Sequence, residues 1–539
     1  MKTFPFLEWH SLRADDGALC LTIALHGDVV GDVIHLEAKT AQYSYRAKRS
    51  VSKGEITLFE ITLPFCELAD EEALKIVVCN QEQSLPVTYK TSTFFPLCES
   101  LTKAYCLLGG FCITRQGNTL RLCRNFKHWK QELLLCFEIL RTCRKRRIEA
   151  LGVRLWRFLR RTPRRPLWLL MDRPLRADDN AEALALYLKQ HHPEIDVRFV
   201  LKRGTPDWKR LRKELPLVPY GSRRHRILNA LAEVFVSSDA FRPSWYTALP
   251  ALRDVFALQP FVFLQHGIIK DDLSGWLWKY NQNLAGFVTS WEREYQHILT
   301  GGYGYTEREV WLTGLPRFDR LYSASKGGQK QITIMPTWRR WLMAEYFAKK
   351  GKWILKDDFE QSEWVQFWTA FLNHPRLHQL AQAYDCKIAF LMHPSLASAN
   401  ARLTAPNVTF LPPETSYREV YALSDCVITD YSSAVFDFAY LQKPILYAQF
   451  DRDRIWSGEH TTMKSDFFDY EHDGFGEVVL SVDELLDALQ RVLVNDCQLA
   501  PIYQQRVQSF FPYRDCANCE RVYKQIVSIL KSDNTNVSL

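Results

Sequence analysis

The sequence predicts an α/β protein built on two doubly wound parallel sheets that face a common cleft, preceded by a small β-sandwich and a basic helical segment. Three observations carry this expectation. From Pro166 onward, short apolar strand runs alternate with helical patterns, as parallel strands require, because each crossover needs a helix. These runs fall into two sets on either side of the polar, glycine-containing stretch 321–331. The first ~95 residues instead carry strand runs separated by turn residues, the habit of an antiparallel sandwich.

Bulk properties agree. A chain of 539 residues suits about three compact units. A hydrophobic content of 47% with 13% aromatics supports packed cores and excludes a disordered chain. No run approaches ~18 uninterrupted apolar residues, so no membrane span is expected. Met1 to His10 lacks the basic-then-apolar pattern of a secretory signal, and a cytoplasmic location is expected. The 14 cysteines are scattered. The CxxC pair Cys516 and Cys519 has neither a second pair nor a histidine at zinc-ligand spacing, so reduced thiols are expected rather than structural zinc.

Residues 1–98 form the β-rich unit, with runs at 19–23, 33–36, 56–61 and 74–78. Residues 99–165 form a basic helical linker. Phe126, Trp129, Leu133, Phe137 and Leu140 recur at helical steps, as do Leu151, Leu155, Phe158 and Leu159, until Pro163 and Pro166 end the pattern. Between Arg141 and Arg165, eleven Lys or Arg face one acid, Glu149, so this stretch carries +10. With the chain at +8 overall, everything else is about −2. Two readings stand: a linker that packs its apolar stripe on a neighbouring domain, or an amphipathic element lying on anionic lipid, where each basic residue contributes about 1 kcal/mol. Nucleic acid finds no recognisable module here.

Residues 166–322 form the first Rossmann domain, with runs at 167–171, 197–201, 234–236, 261–264, 286–288 and 310–312. Residues 323–539 form the second, with runs at 332–335, 388–391, 408–411, 427–429, 445–447 and 478–480. Such sheets bind ligands beyond the carboxyl ends of their strands. The residues that follow strands are therefore the candidates: Gln265, His266, Gly267 and Lys270; Gly314, Pro316 and Arg317; Pro336, Thr337 and Trp338; His393 and Pro394; and Thr429-Asp430-Tyr431-Ser432-Ser433.

His266 is the candidate general base, since imidazole titrates nearest neutrality and Gly267 permits close approach; a structural histidine is the alternative. His393 would donate to a phosphate or leaving group. Ser432 and Ser433 open a helix expected at 434–441, and with Thr429 could bind phosphate oxygens at its N-terminus; a plain serine N-cap is the competing explanation. Asp451-Arg452-Asp453 has the form of a DxD metal motif, too short to carry a metal assignment. No P-loop and no compact acidic cluster is present in the sequence, so neither metal nor cofactor is expected.

The stretch 423–438, with its Thr429-Asp430-Tyr431-Ser432-Ser433 and Phe436-Asp437-Phe438, closely resembles the signature of the CDP-glycerol glycerophosphotransferases, the teichoic acid polymerase and primase family. Gly314-Leu315-Pro316-Arg317-Phe318-Asp319 resembles the family's G-x-P-R-x-D, Pro336-Thr337-Trp338-Arg339 its P-T-W-R, and Met392-His393-Pro394 its M-H-P. The family's W-H-G-T-P-L-K is here Gln265-His266-Gly267-Ile268-Ile269-Lys270, which keeps the histidine and leaves the polyol open between glycerol and ribitol.

The resemblance implies a GT-B-like fold in which the second Rossmann domain holds CDP-glycerol and the first presents the acceptor. It implies His266 as base, with Arg317, His393, Thr429, Ser432 and Ser433 on the pyrophosphate and Pro336 and Thr337 bordering the nucleotide. Gly267, Lys270, Met392, Asp430 and Asp437 complete the expected substrate contacts. The acceptor would be a lipid-linked or polymeric hydroxyl of a teichoic acid or capsular polysaccharide at the inner face of the membrane. A nucleotide-sugar glycosyltransferase and a non-catalytic polymer-binding scaffold are the competing functions.

Overall fold

A computed structural model describes residues 6–534 apart from 16, 28–33, 41, 81–82, 86, 125–126, 160–164, 241–248, 325–329, 348–351, 394, 397–398, 400–402, 413–414 and 461–466. Two parallel sheets form its centre. The first has seven strands in the order Leu217–Pro219, Asp196–Leu201, Leu167–Met171, Val234–Ser237, Phe261–Phe263, Gly286–Thr289 and Val310–Leu312. The second has six, in the order Val408–Leu411, Lys387–Leu391, Gln331–Ile334, Cys426–Thr429, Ile445–Ala448 and Gly476–Val479. Inner strands such as Leu167–Met171, Val234–Ser237 and Ile445–Ala448 are buried throughout. That is why they read as continuous apolar runs rather than alternating ones. Leu217–Pro219, a three-residue edge strand ending in proline, gave no such signal.

In both sheets the chain enters at a central strand, builds outward on one side, then returns to build the other. The reversal lies between Leu167–Met171 and Val234–Ser237 in the first sheet, and between Gln331–Ile334 and Cys426–Thr429 in the second. The crevice at the carboxyl end of such a reversal is the ligand-binding position of doubly wound sheets. Side-chain caps fix where the covering helices start: Asp179 accepts from the Asn180 N–H ahead of Asn180–His191, and Ser481 from the Glu484 N–H ahead of Val482–Val494.

Ahead of these domains lie two largely antiparallel sheets of five and seven strands sharing one core that includes Trp9, Leu21, Ile61, Ile76 and Phe111. The boundary expected at residue 98 falls short. Tyr105–Leu108, Phe111–Gln116 and Thr119–Cys123 extend the second of these sheets, the last pairing antiparallel with Glu71–Asn80. Buried Lys279 ties this unit to the first Rossmann domain, bonding Glu60 at 2.5 Å and Glu309 at 3.0 Å, while Arg13 reaches Glu309 at 2.6 Å.

The basic segment is two helices, His128–Thr142 and Arg147–Leu159. Its apolar positions do not form one buried stripe. Leu135, Ile139, Ala150 and Val153 face the core, whereas Trp129, Leu133, Leu134, Phe137, Leu140, Ile148, Leu155, Trp156 and Leu159 are exposed. Arg154 belongs to the fold rather than to the charged surface: it is buried, holding Glu132 at 2.7 Å and Asp254 at 2.9 Å. Phe126, Arg160, Arg161, Pro163 and Arg164 lie outside the described residues.

The final helix, Asn518–Asn534, does not stay with the second sheet as a boundary at 323 implies. It crosses back onto the first, where Tyr523 meets Trp168 with ring centroids 5.9 Å apart. Gly314, at φ 76°, makes this possible: a Cβ there would lie 2.1 Å from the Asn518 Oδ1. Asp319 accepts from the N–H groups of Asn518 and Cys519, and the Cys519 thiol contacts the Pro316 carbonyl. Three positions of the G-x-P-R-x-D element thus anchor a helix.

Candidate active site

The two reversals face each other across a cavity of about 570 Å³, lined by Arg173, Arg176, Asp179, His266, Lys270 and Arg317 from one side and Thr337, Trp338, His393, Ser432, Ser433, Asp437 and His460 from the other. Another cavity, of about 500 Å³, opens at the opposite ends of the first sheet's strands. Several of its charged groups are matched internally, Arg154 with Glu132 and Asp254 and Arg13 with Glu309, whereas the cleft at the carboxyl ends lies where doubly wound sheets bind ligands and is the candidate site.

His266 follows the strand Phe261–Phe263 on a turn held by buried groups. Gln265 takes a left-handed φ of 61° and is itself buried, its amide donating to Glu294 at 3.0 Å. Glu294 also accepts from the Ile269 N–H at 2.7 Å and the Ser290 N–H at 2.8 Å. Burial nevertheless pushes its carboxyl up to about 7. Asn180 completes the support by donating to the Gln265 carbonyl at 2.9 Å. The imidazole lines the cleft and is exposed there, with 56% of its side-chain surface accessible. Burial first, then the nearby Arg173 and Arg317 cations, hold it well below the usual histidine range, so it is neutral and able to accept a proton. Arg173 Nη2 is 2.7 Å from both ring nitrogens, and Asp179 lies 3.9 Å from Nδ1.

Gly267 has a different use from the one its sequence suggested. A Cβ at this position would stand 2.8 Å from the Ser433 Oγ, so the glycine lets the two domains touch, bringing the base loop against the hydroxyl pair.

Several expected substrate contacts are instead committed to the fold. Arg317 grips Asp437 through Nε at 2.6 Å and Nη2 at 2.7 Å, and Asp179 through Nη1 at 2.7 Å. Burial opposes its charge, but the pull of Asp437 and Asp179 outweighs that and keeps it firmly protonated. Arg317 and Asp437 are therefore a clamp between domains, and the charge of Arg317 is already balanced. Thr429 donates its hydroxyl to the Met335 carbonyl at 2.8 Å, which withdraws its proton from any phosphate. Asp430 is fully buried, accepting from Thr337 N–H at 2.9 Å and from Arg339 at 2.9 Å. Met392 is a core side chain, and Pro336 is buried at the strand end. These residues read as contacts because they flank the ones that face the cleft.

The facing wall offers neutral groups. Thr337 Oγ1 is buried at the cavity without a partner among the described residues. Ser432 and Ser433 are partly exposed to the cavity, and Ser432 Oγ accepts from the Ala434 N–H at 3.2 Å. The helix behind them is Val435–Tyr440, shorter than expected and without a side-chain cap. His393 accepts from the Ser395 N–H at 3.1 Å and sits 6.3 Å from the Trp338 ring. Burial, Arg173 and His460 bring His393 down to about 4, and His460 is likewise lowered to about 4, by burial and then by Arg339 and Lys270. Lys270 pairs with Asp271 at 2.6 Å. In the DxD stretch, Asp451 is engaged by Arg339 at 2.6 Å and Arg452 by Glu471 at 3.0 Å, which leaves Asp453 alone of the three without such a role in these contacts.

Residues 155–528 match the model of a family described as CDP-Glycerol:Poly(glycerophosphate) glycerophosphotransferase. The chain belongs to this family. Among relatives, it is 34% identical over 384 residues to the minor teichoic acid biosynthesis protein GgaB of Bacillus subtilis, a match covering 70% of this chain and 41% of GgaB. It is 27% identical over 260 residues to the teichoic acid poly(glycerol phosphate) polymerase of the same organism, covering 44% of this chain and 31% of that one. It is 24% identical over 233 residues to the ribitol-phosphate polymerase TarL of Staphylococcus aureus, covering 42% of this chain and 38% of that one. The chain thus spans less than half the length of these relatives. The structure of the wall teichoic acid polymerase TagF shares the α/β fold, with a TM-score of 0.51 at 16% identity, covering 75% of this chain and 99% of that one. Another TagF structure was obtained after a CDPG soak.

Of the residues named from sequence, the fold gathers His266, Lys270, Arg317, Thr337, Trp338, His393, Ser432, Ser433 and Asp437 around the cavity, with Gly267 at the contact between its walls. Sequence reading passed over Arg173, Asp179, Asn180 and His460. For Arg173 a signal existed, because it stands two places after the strand that opens the first sheet, at the reversal. For His460, outside any strand end, there was none.

Proposed function

We propose that the chain transfers a polyol phosphate from a CDP-polyol, CDP-glycerol first and CDP-ribitol second, to a hydroxyl of a growing surface polymer, a teichoic acid or capsular polysaccharide, and releases CMP. The observation that carries this is the meeting of a neutral imidazole on one domain with a hydroxyl pair and two further depressed histidines on the other. An acceptor hydroxyl would lose its proton to His266 as its oxygen bonds the polyol-bearing phosphorus. The bond from that phosphorus to the bridging oxygen breaks, and CMP leaves with that oxygen. Ser432, Ser433, Thr337 and His393 would bind the diphosphate. The glycerophosphotransferase family and the CDPG soak of TagF support glycerol; the ribitol polymerase among the relatives supports ribitol. The decisive assay offers CDP-glycerol, CDP-ribitol and UDP- and CMP-sugars to the enzyme with a polymer acceptor and records the nucleotide released. CMP from a CDP-polyol is expected; UDP release, or turnover of sugars alone, would overturn the reading.

We further propose that the helices His128–Thr142 and Arg147–Leu159 hold the enzyme peripherally on the cytoplasmic side of the membrane. No helix among the described residues is long and apolar enough to cross a bilayer. Instead, nine large apolar side chains stand exposed beside Arg141, Arg144, Lys145, Arg146 and Arg147, the combination that lies in an anionic lipid surface. Cosedimentation with anionic vesicles should fall steeply with salt, since exposed charges are screened beyond about 8 Å at 0.15 M. Replacing Arg144, Lys145, Arg146 and Arg147 with Gln should release the protein while sparing activity on a short soluble acceptor. Unchanged cosedimentation of that variant would sink the proposal.

A further inference from the structure

The cations of the cleft differ in one respect: most are already neutralised. Arg317 is held by Asp179 and Asp437, Arg320 by Glu182, Arg418 by Asp178 and Lys270 by Asp271. Arg173 is not. Among the described residues no carboxylate pairs with it, and its guanidinium rests against the His266 ring, 2.7 Å from each nitrogen. Its side chain is exposed to the cavity, at the carboxyl end of Leu167–Met171 beside the reversal of the first sheet. Its field is also felt at His393 on the opposite domain. A cavity-facing guanidinium laid against the base, with no counter-ion of its own, is a receptor for an anion.

We propose that Arg173 is a catalytic residue, its guanidinium binding the phosphoryl group under transfer between His266 and the hydroxyl wall. This rests on the polyol-phosphate transferase reading. As the fold places it, Arg173 lies against the base. When the diphosphate enters, the guanidinium turns from the ring to the phosphoryl oxygens, leaving His266 open to the acceptor hydroxyl. As the new oxygen–phosphorus bond forms and the bond to CMP breaks, the proton passes to His266. Arg173 then meets the negative charge carried by the equatorial oxygens and the departing CMP. Remaining nearby, it also keeps the imidazole in its neutral, proton-accepting form.

The test uses the full chain with Arg173→Ala, Arg173→Gln and Arg173→Lys, each checked by thermal melting. With the CDP-polyol that the wild type turns over, the Ala and Gln variants should lose roughly 10²–10³-fold in kcat, with free guanidinium restoring part of the loss. Arg173→Lys should keep the charge but not the two-pronged geometry, falling between them and the wild type. Removing a cation beside His266 should also move the acid limb of the rate profile to higher pH, a readout that a purely structural role would leave in place. Ala and Gln variants with near wild-type kcat, or an unmoved acid limb, would overturn the proposal. If the wild type turns over no CDP-polyol, the parent reading has failed, and Arg173 is judged by calorimetry with inorganic pyrophosphate. Equal affinity in wild type and Arg173→Ala then overturns the anion role; weakened affinity supports it.

Discussion

The two walls of the cleft solve the same problem with different materials. The first domain supplies formal charge: Arg173, Arg317, Lys270 and Asp179 around a neutral His266. The second supplies dipoles: the Thr337 hydroxyl, the Ser432-Ser433 pair and histidines lowered to about 4. The charged groups that the second wall does bring to the cavity, Asp437 and Arg418, are answered from the first domain by Arg317 and Asp178. Arg339 is fully buried between Asp430 and Asp451 and shapes the wall without reaching the cavity. The difference teaches that being ionisable and standing at a strand end does not make a residue a ligand contact. Whether its charge is already answered decides that.

Three experiments press on this contrast, the strongest first. If His266 is the proton acceptor on the charged wall, His266→Ala should lower turnover by roughly 10²–10⁴-fold while donor affinity stays nearly intact. Because the wild-type imidazole sits well below its ordinary value, the acid limb of kcat/KM should lie below about pH 6.5. The sign follows from the neutral form being active: rate is full above the lowered value and lost as pH falls through it. A near wild-type rate in the variant removes His266 from the chemistry.

The clamp comes second. Asp437→Ala leaves Arg317 buried with only Asp179 to answer it, and chemical denaturation should show a loss of about 3–5 kcal/mol. Were Arg317 mainly a ligand contact, the variant would instead fold normally and bind donor more weakly. The smallest effect belongs to the dipole wall. Thr429→Val should cost on the order of 1–3 kcal/mol of stability, from the Met335 carbonyl left unanswered, with donor affinity unchanged by calorimetry. Ser432→Ala with Ser433→Ala should do the reverse, weakening donor binding with little change in stability.

Much of the core was legible from the sequence because inner parallel strands buried on both faces leave uninterrupted apolar runs, and of the strands in the two parallel sheets Leu217–Pro219 alone gave no run. Strand ends then pointed to His266, His393 and the Ser432-Ser433 pair. What the sequence could not supply was pairing across distance. Arg317 and Asp437 are 120 residues apart, and nothing local in either says that one answers the other. The same holds for Arg154, which sat in a run of basic residues and looked like surface charge until Glu132 and Asp254 closed around it. Helical periodicity found the apolar positions of the basic segment, but not which of the two faces turned outward.

The return of the last helix to the first sheet orders events during synthesis. Cys519, Val522 and Ile526 belong to the same buried cluster as Trp168, Leu184 and Leu188, so that cluster closes only after some 350 further residues have emerged. At ~5–20 residues per second that takes roughly 20–70 s, and once its last strand, Val310–Leu312, has emerged the first Rossmann sheet waits about 200 residues, roughly 10–40 s, for this part of its cover. The nascent chain therefore presents Trp168 and its neighbours to chaperones or to other chains for that time. A stop codon that removes only the final helix would make this exposure permanent.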